Sequence, residues 1–516
     1  MLAGCHYSKR GAVVKKNPDV LSPEAGPPVV DAEKLIEQKE VESRWRKGLS
    51  SFWKIVIAVI SVVFISYHVY TSRFGMPETI KHRAIYLGFV LVLVFLYFPA
   101  SNKSPKGRPS ILDLFLAVAA VAATIYTLWS RNAFLLRAGV AVPHNIIVGG
   151  FYLLLVLEAC RRSVGNQLLI LVLVFLAYAY FGKYVPGILS HRGYTLERII
   201  YQMYLTSQGV FGMPTGVAST YLVIFVVLGA MLDKSGLAKL FNDVAMSLGG
   251  KFTGGPAKVA VIASALLGMI QGSAATNVAT TGAFTIPLMK KVGYKPAFAG
   301  AVEAAASTGG QFMPPIMGSV AFIMAEFLGV PYLSIAAAAF IPAVLYFAGV
   351  FFQIDLRART MGLKGLDKKE MPDTIHTVLR YGHMVLPIII LVYLLFEGRT
   401  PLYSAFFAVV TTAGLSWVRK ETRMGLPELK VVAVNSARSS LSIGVAMANA
   451  GFVVAVLSMT GIGMILADNI VALSGGRLWI ALILSMVVSI ILGMGLPTSA
   501  CYRSEEHTSE LQSRHN

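Results

Sequence analysis

Apolar residues run for about 20 positions at a time along almost the whole chain, separated by short polar loops. A helix needs about 20 such residues to cross a bilayer. The pattern therefore predicts spans over 51–71, 83–100, 111–129, 145–160, 167–186, 216–233, 333–355, 376–396, 400–418, 437–459 and 478–497. Lipid offers no partner to a backbone polar group, so helices are the economical way to make these crossings. The stretch 256–330 is also apolar, but Gly and Pro interrupt it repeatedly. The first 50 residues are polar and mixed in charge, and 31–47 has the pattern of a short surface helix. The fold class expected is an all-α polytopic membrane protein.

Composition agrees with that expectation. Of 516 residues, 55% are hydrophobic and 14% charged, against about 25% charged in a typical soluble protein. The net charge of +19 raises the question of a nucleic-acid partner. The charges, however, sit in short loops: Lys103/Lys106/Arg108, Arg161/Arg162, Arg357/Arg359/Lys364/Lys368/Lys369 and Arg419/Lys420/Arg423. Counted from a cytoplasmic N-terminus, these loops all fall on the cytoplasmic side, as the positive-inside rule requires. Two loops on the other side, carrying Arg73/Lys81/Arg83 and Lys183/Arg192/Arg198, are basic as well. The partner expected is a lipid bilayer, with no nucleic acid. Cys5, Cys160 and Cys501 are too scattered for a disulfide framework or a zinc site. No apolar run precedes the Leu2-Ala3-Gly4-Cys5 box, so lipidation is not expected.

Four compact spans lead to a junction near Arg161–Asn166, after which Gly becomes much more frequent. The expected organisation is a segment 1–50, a four-helix module 51–165 and a large module 166–502. The large module contains an internal echo. Gly254-Gly255 leads through an apolar run to Gly272-Ser273, and Gly475-Gly476 leads through another to Gly493-Met494. Upstream, Ser235-Gly236 and Gly249-Gly250 correspond to Thr460-Gly461 and Gly475-Gly476. Lys251 and Lys258 precede the first apolar segment and Lys290/Lys291 follow it, which places both ends on one side of the membrane. Such a segment is a re-entrant hairpin, tolerated where protein or a wet cavity covers its backbone. Span counting brings the second hairpin in from the opposite side. That is an inverted-topology repeat, a recurrent plan of secondary transporters.

The first tip runs from Gly272 through Ser273, Ala274, Ala275, Thr276, Asn277, Val278, Ala279 and Thr280 to Thr281 and Gly282. Small residues let the backbone unwind, and Ser, Thr and Asn offer oxygens to a hard cation. The competing reading is that small polar residues pack membrane helices closely. Further on, Ser307-Thr308-Gly309-Gly310-Gln311 precedes Pro314-Pro315. Two prolines cannot continue a regular helix, so the span is expected to break and to leave carbonyls near Ser307–Gly310 for an ion. Gly495, Pro497, Thr498 and Ser499 take the corresponding place in the second copy. Glu303 and Glu326 stand in apolar surroundings and serve either a function or a structural hydrogen bond. HExxH, GxxxxGK[ST] and GxSxG motifs are absent from the sequence, so an enzyme of those types is not expected.

At these residues the sequence resembles a known family. Gly254-Gly255-Pro256-Ala257-Lys258, the Gly272–Gly282 block, Thr285-Ile286-Pro287-Leu288-Met289-Lys290, Gly293-Tyr294 and the Ser307–Gly318 block are similar to the fused permease of tripartite ATP-independent periplasmic (TRAP) transporters. The four-span module resembles the small membrane subunit, joined here to the large one. The resemblance implies uptake of small organic anions, usually carboxylates, driven by Na⁺ and delivered by a separate binding protein of the TAXI type. It implies an elevator-type mechanism in a prokaryotic cytoplasmic (inner) membrane. It places Ser273, Asn277, Ser307, Gly309, Pro314, Gly495, Thr498 and Ser499 at the ion and substrate region, with Na⁺ among Ser273, Asn277, Ser307 and Gly309. Na⁺ is the coupling ion, and no cofactor is expected. The alternatives are a stand-alone ion-coupled dicarboxylate transporter without a soluble partner, and a membrane-embedded enzyme or scaffold.

The chain departs from the family after Tyr502. Residues 503–516 carry Arg503, Glu505, Glu506, Glu510 and Arg514 and no apolar run, so they cannot form the second arm of a membrane hairpin. They resemble a translated sequencing adapter, and the native chain is expected to continue differently.

Overall fold

The computed structural model describes residues 45–493, apart from 47, 102, 103, 106, 138, 273, 318, 367–370 and 476. Nine helices among the described residues are long and apolar enough to cross a membrane. The first five are α1 (Ser51–Phe74), α2 (Thr79–Tyr97), α3 (Ile111–Leu136), α4 (Pro143–Ser163) and α5 (Asn166–Phe181). Each begins where local chemistry dictates. Glu78 caps α2 by accepting from the Lys81 amide at 3.1 Å. Ser110 and Asp113 form a reciprocal capping box at the start of α3. Pro143 sits at the first turn of α4, where its missing N–H costs nothing.

After a short helical segment over 196–205 come α6 (Met213–Lys234), α7 (Leu237–Gly249), α8 (Gly255–Gln271), α9 (Ala274–Lys291), α10 (Pro296–Gly309) and α11 (Ser319–Leu328). The last group is α12 (Tyr332–Thr360), α13 (Thr374–Phe396), α14 (Pro401–Ser416), α15 (Leu426–Thr460), α16 (Ile462–Ser474) and α17 (Leu478–Gly493). The segment expected to span at 400–418 forms a helix of only 16 residues, about 24 Å at 1.5 Å per residue. The span expected over 437–459 is instead the end of a 35-residue helix.

The core gathers around α15, which packs against α1, α2, α4, α5 and α6. Its most apolar window is 78% buried, and those of α2 and α6 are 72% buried. By contrast, α12 is 17% buried and α5 22% buried over the same kind of window. Their outward residues, such as Phe340, Ile341, Leu345 and Phe352, are the surface that lipid covers.

The structure corrects one reading of the charges. Arg162 is not a loop charge but lies buried at the end of α4. Its Nη1 meets Asp113 Oδ1 at 2.6 Å and its Nε meets Glu158 Oε1 at 2.7 Å. Arg46 takes the other Asp113 oxygen at 2.5 Å and donates to the Leu96 carbonyl at 2.8 Å. Burial pulls the Arg46 guanidinium below its usual value, and the neighbouring Asp113 opposes that shift. Lys258 is likewise buried, in the first turn of α8, against Asp355 of α12 at 2.5 Å.

Candidate functional site

The helices α8 and α9 meet at Gly272, whose φ of 61° is in the left-handed region that favours glycine. They pack along one another as a hairpin, and α10 packs against both. The helix α10 ends at Gly309, a single tight turn follows over Gly310–Phe312, and the Pro314-Pro315 pair comes next. The chain therefore breaks where the prolines predict. Tyr346 and Tyr332 of α12 brace the break by donating to the carbonyls of Ala305, at 2.9 Å, and Pro315, at 3.1 Å.

Where the three helices converge, Ser264, Asn277, Thr281, Thr285, Glu303 and Ser307 are all fully buried. Glu303 Oε1 accepts from Ser264 Oγ and Ser307 Oγ, each at 3.1 Å, and from Thr281. Thr285 donates to Glu303 Oε2. Asn277 Nδ2 reaches across the hairpin to the Ser264 carbonyl at 2.9 Å. Its Oδ1 is buried and has no hydrogen-bond partner among the described residues.

This cluster has more oxygens than protons to share. The Thr281 hydroxyl, with one hydrogen, faces the Asn277 carbonyl at 2.8 Å, Glu303 Oε1, and Ser264 Oγ at 3.2 Å. The Thr285 hydroxyl faces both the Thr281 carbonyl at 3.0 Å and Glu303 Oε2. Each hydroxyl can donate only once. A buried group of hydroxyls, one amide oxygen and one carboxylate is the donor set that hard cations take.

Backbone contact makes the convergence possible. A Cβ on Gly268 would lie 2.4 Å from Gly310 Cα and 2.9 Å from Asn277 Nδ2. Only hydrogen fits there, so α8 and the turn after α10 touch backbone to backbone.

The structure thus brings together Asn277, Thr281 and Ser307 from the expected set. Gly309 sits beside them, under the Tyr346 ring. Gly272 is at the hairpin tip, and Gln311 and Pro314 lie in the break after α10. Ser273, Gly495, Pro497, Thr498, Ser499 and the side chain of Glu326 lie outside the described residues. Sequence reasoning missed Ser264, Gly268 and Thr285, and it took Gly310 for a free carbonyl rather than for the backbone that meets Gly268. A usable signal was present, because Ser264/Gly268, Asn277/Thr281/Thr285 and Glu303/Ser307 each repeat at i,i+4 and so share a helix face.

A chain of apolar spanning helices around a buried, oxygen-lined helix break is the architecture of a membrane permease rather than of a soluble enzyme. Residues 151–503 match the family described as the tripartite ATP-independent periplasmic transporter, DctM component, and the chain belongs to that family. It is 27% identical over 278 residues to the C4-dicarboxylate TRAP transporter large permease protein DctM of Pseudomonas aeruginosa, covering 54% of this chain and 64% of that one. It is 31% identical over 121 residues to the uncharacterized protein YgiK of Salmonella typhimurium, covering 23% of this chain and 28% of that one. It is 26% identical over 168 residues to the 2,3-diketo-L-gulonate TRAP transporter large permease protein YiaN of Escherichia coli, covering 32% and 39%. The chain thus spans between about a quarter and two thirds of the length of these relatives.

Proposed function

We propose that the chain is the permease of a binding-protein-dependent secondary transporter that imports small organic anions, carboxylates above all, driven by a Na⁺ gradient. The observation that carries the reading is the buried Glu303 cluster, with more oxygens than hydrogens and the unpartnered Asn277 Oδ1 at its edge. A Na⁺ held near Asn277, Ser307 and Gly309, with Ser273 at the tip, would supply the missing positive charge. Family membership supports the organic-anion substrate, since the named relatives carry C4-dicarboxylate and 2,3-diketo-L-gulonate in their names.

Re-entry of the first hairpin is supported by the 17 residues of α8, about 25 Å and short of a full crossing. The repeat is supported by two helices of 13 residues, α7 and α16, each opening on a left-handed glycine and followed by an apolar helix. Entry of the two hairpins from opposite faces, and elevator-type motion of both across an inner membrane with the N-terminus in the cytoplasm, complete the proposal. The four helices α1–α4 are read as a fused small subunit, and the soluble partner as a TAXI-type binding protein. The test is uptake of radiolabelled succinate into proteoliposomes, with and without an added TAXI-type binding protein that takes succinate. Accumulation that needs both an inward Na⁺ gradient and the binding protein supports the reading. Uptake indifferent to both sinks it, and uptake that needs Na⁺ alone favours a stand-alone transporter.

A further inference from the structure

A second polar site lies far from the hairpin, at the end of α2 and α3 opposite the Arg46–Asp113–Arg162 cluster. There a cavity of about 650 Å³ opens between the first turns of α2, the last turns of α3 and the 201–207 segment. Arg83 and Arg131 are its cations and Glu78 is its one carboxylate. Arg83 is anchored by donating to the Phe211 carbonyl at 2.8 Å. Arg131 is held less completely. Its Nη1 reaches the Leu205 carbonyl at 3.2 Å and its Nη2 reaches Glu78 Oε1 at a long 3.4 Å. Its Nε has no acceptor among the described residues.

The N-terminus of the 19-residue helix α2 opens on the same space through Thr79 and Ile80. The positive end of its dipole adds to the two guanidinium groups. Glu78 occupies part of this field already, through Lys81 N at 3.1 Å and Arg131, while 36% of its side chain stays exposed. It behaves as a resident carboxylate that a better-placed one can displace. Apolar walls from Phe134, Leu205 and Met213 complete the lining, and the volume is that of a small-molecule site rather than of a bare ion.

We infer that this cavity binds an organic oxyanion, a carboxylate or a phosphate monoester with an apolar body, between Arg83 and Arg131 in competition with Glu78. The site accounts for Arg83 and its neighbours on the side of the membrane where basic residues are not otherwise called for. It is independent of Na⁺ coupling and of the Glu303 cluster. A free anion and an anionic lipid headgroup share this chemistry, and the experiment separates them.

The purified chain in phosphatidylcholine nanodiscs is titrated with succinate and with glycerol phosphate, and separately reconstituted with increasing phosphatidylglycerol, following thermal stability. Saturable stabilisation by the soluble anions identifies a free occupant, and stabilisation by phosphatidylglycerol alone identifies a headgroup. In either case Arg131→Gln weakens the effect at least tenfold in midpoint concentration, and Glu78→Gln tightens it about threefold or more. Glu78 is partly exposed, so the second variant keeps the test alive where the first fails to fold. Absence of stabilisation by every probe in both wild type and Glu78→Gln overturns the inference. So does stabilisation that neither substitution changes.

Discussion

Asn277 donates its side-chain amide to the carbonyl of Ser264, 2.9 Å away on the facing arm of the hairpin, and its own oxygen has no partner among the described residues. One side chain thus ties the hairpin together and presents an acceptor at its centre. Asn277→Ala removes both. The expected outcome is at least a tenfold rise in the Na⁺ concentration that half-stabilises the purified protein, read by thermal shift against choline. An unchanged Na⁺ response takes Asn277 out of the proposed ion site.

Glu303 accepts from four hydroxyl groups on three helices. In Glu303→Ala the Thr281 and Thr285 hydroxyls can turn to the Asn277 and Thr281 carbonyls, but Ser264 and Ser307 lose their carboxylate acceptor, and a loss of about 1–3 kcal/mol follows from the usual cost of such groups. Glu303→Gln keeps the volume and one acceptor oxygen, so it should fall between wild type and Ala in melting temperature. Equal melting of all three proteins would contradict the hub.

Two glycines in neighbouring helices should respond in opposite ways to the same change. Gly268→Ala drives a methyl into the Gly310 backbone, and overpacking of that kind costs about 1–3 kcal/mol. Gly300, inside α10, has nothing within 4 Å of its built Cβ. Gly300→Ala should therefore be neutral, or stabilising by up to about 1 kcal/mol through helix propensity. Detergent melts of the pair check both directions at once.

Asp113 lies between two buried guanidinium groups. Breaking a buried ion pair by deleting one partner costs about 3–5 kcal/mol, and Asp113→Ala leaves Arg46 with carbonyl acceptors alone among the described residues, beside Arg162, whose remaining carboxylate is Glu158. The expected result is a large fall in melting temperature or failure to accumulate in the membrane. Glu421→Ala, at an exposed pair with Arg380 at 2.6 Å, should change stability by less than about 1 kcal/mol.

The membrane fold was legible because a 20-residue apolar run has few other physical solutions. Boundaries failed where polar residues continued a helix, as Glu428, Lys430 and Arg438 do in α15. The site was half legible. Asn277, Thr281 and Ser307 stand out as small polar residues beside glycines, and Glu303 as a carboxylate in an apolar stretch. Ser264 looks like any helix-packing serine, and its place opposite Thr281 and Glu303 depends on how tightly three helices approach. That approach rests on Gly268 and Gly310, which a linear pattern cannot pair. Arg162 was misread because the partner that buries it, Asp113, is 49 positions away, while its near partner Glu158 is a pairing that a solvated helix end shows equally.

The helix α15 also works as a ruler for the depth of the protein in the bilayer. Its 35 residues extend about 52 Å, well beyond the roughly 30 Å of hydrocarbon. Arg438 lies over the Trp45 ring at 4.4 Å, and Trp45 in turn packs on Tyr97 at the end of α2. An arginine and two aromatic rings at one level are what the headgroup boundary selects. From Arg438 to Thr460 the helix covers about 33 Å, one hydrocarbon thickness, so the turns before Arg438 reach about 18 Å beyond that level, with Val432, Ala433, Ser436 and Ala437 packed on the protein and Leu429 facing out. Bromolipid quenching of single tryptophans placed at exposed Leu429 and at Leu345, on the open face of α12, would read that waterline directly, with the second quenched and the first untouched.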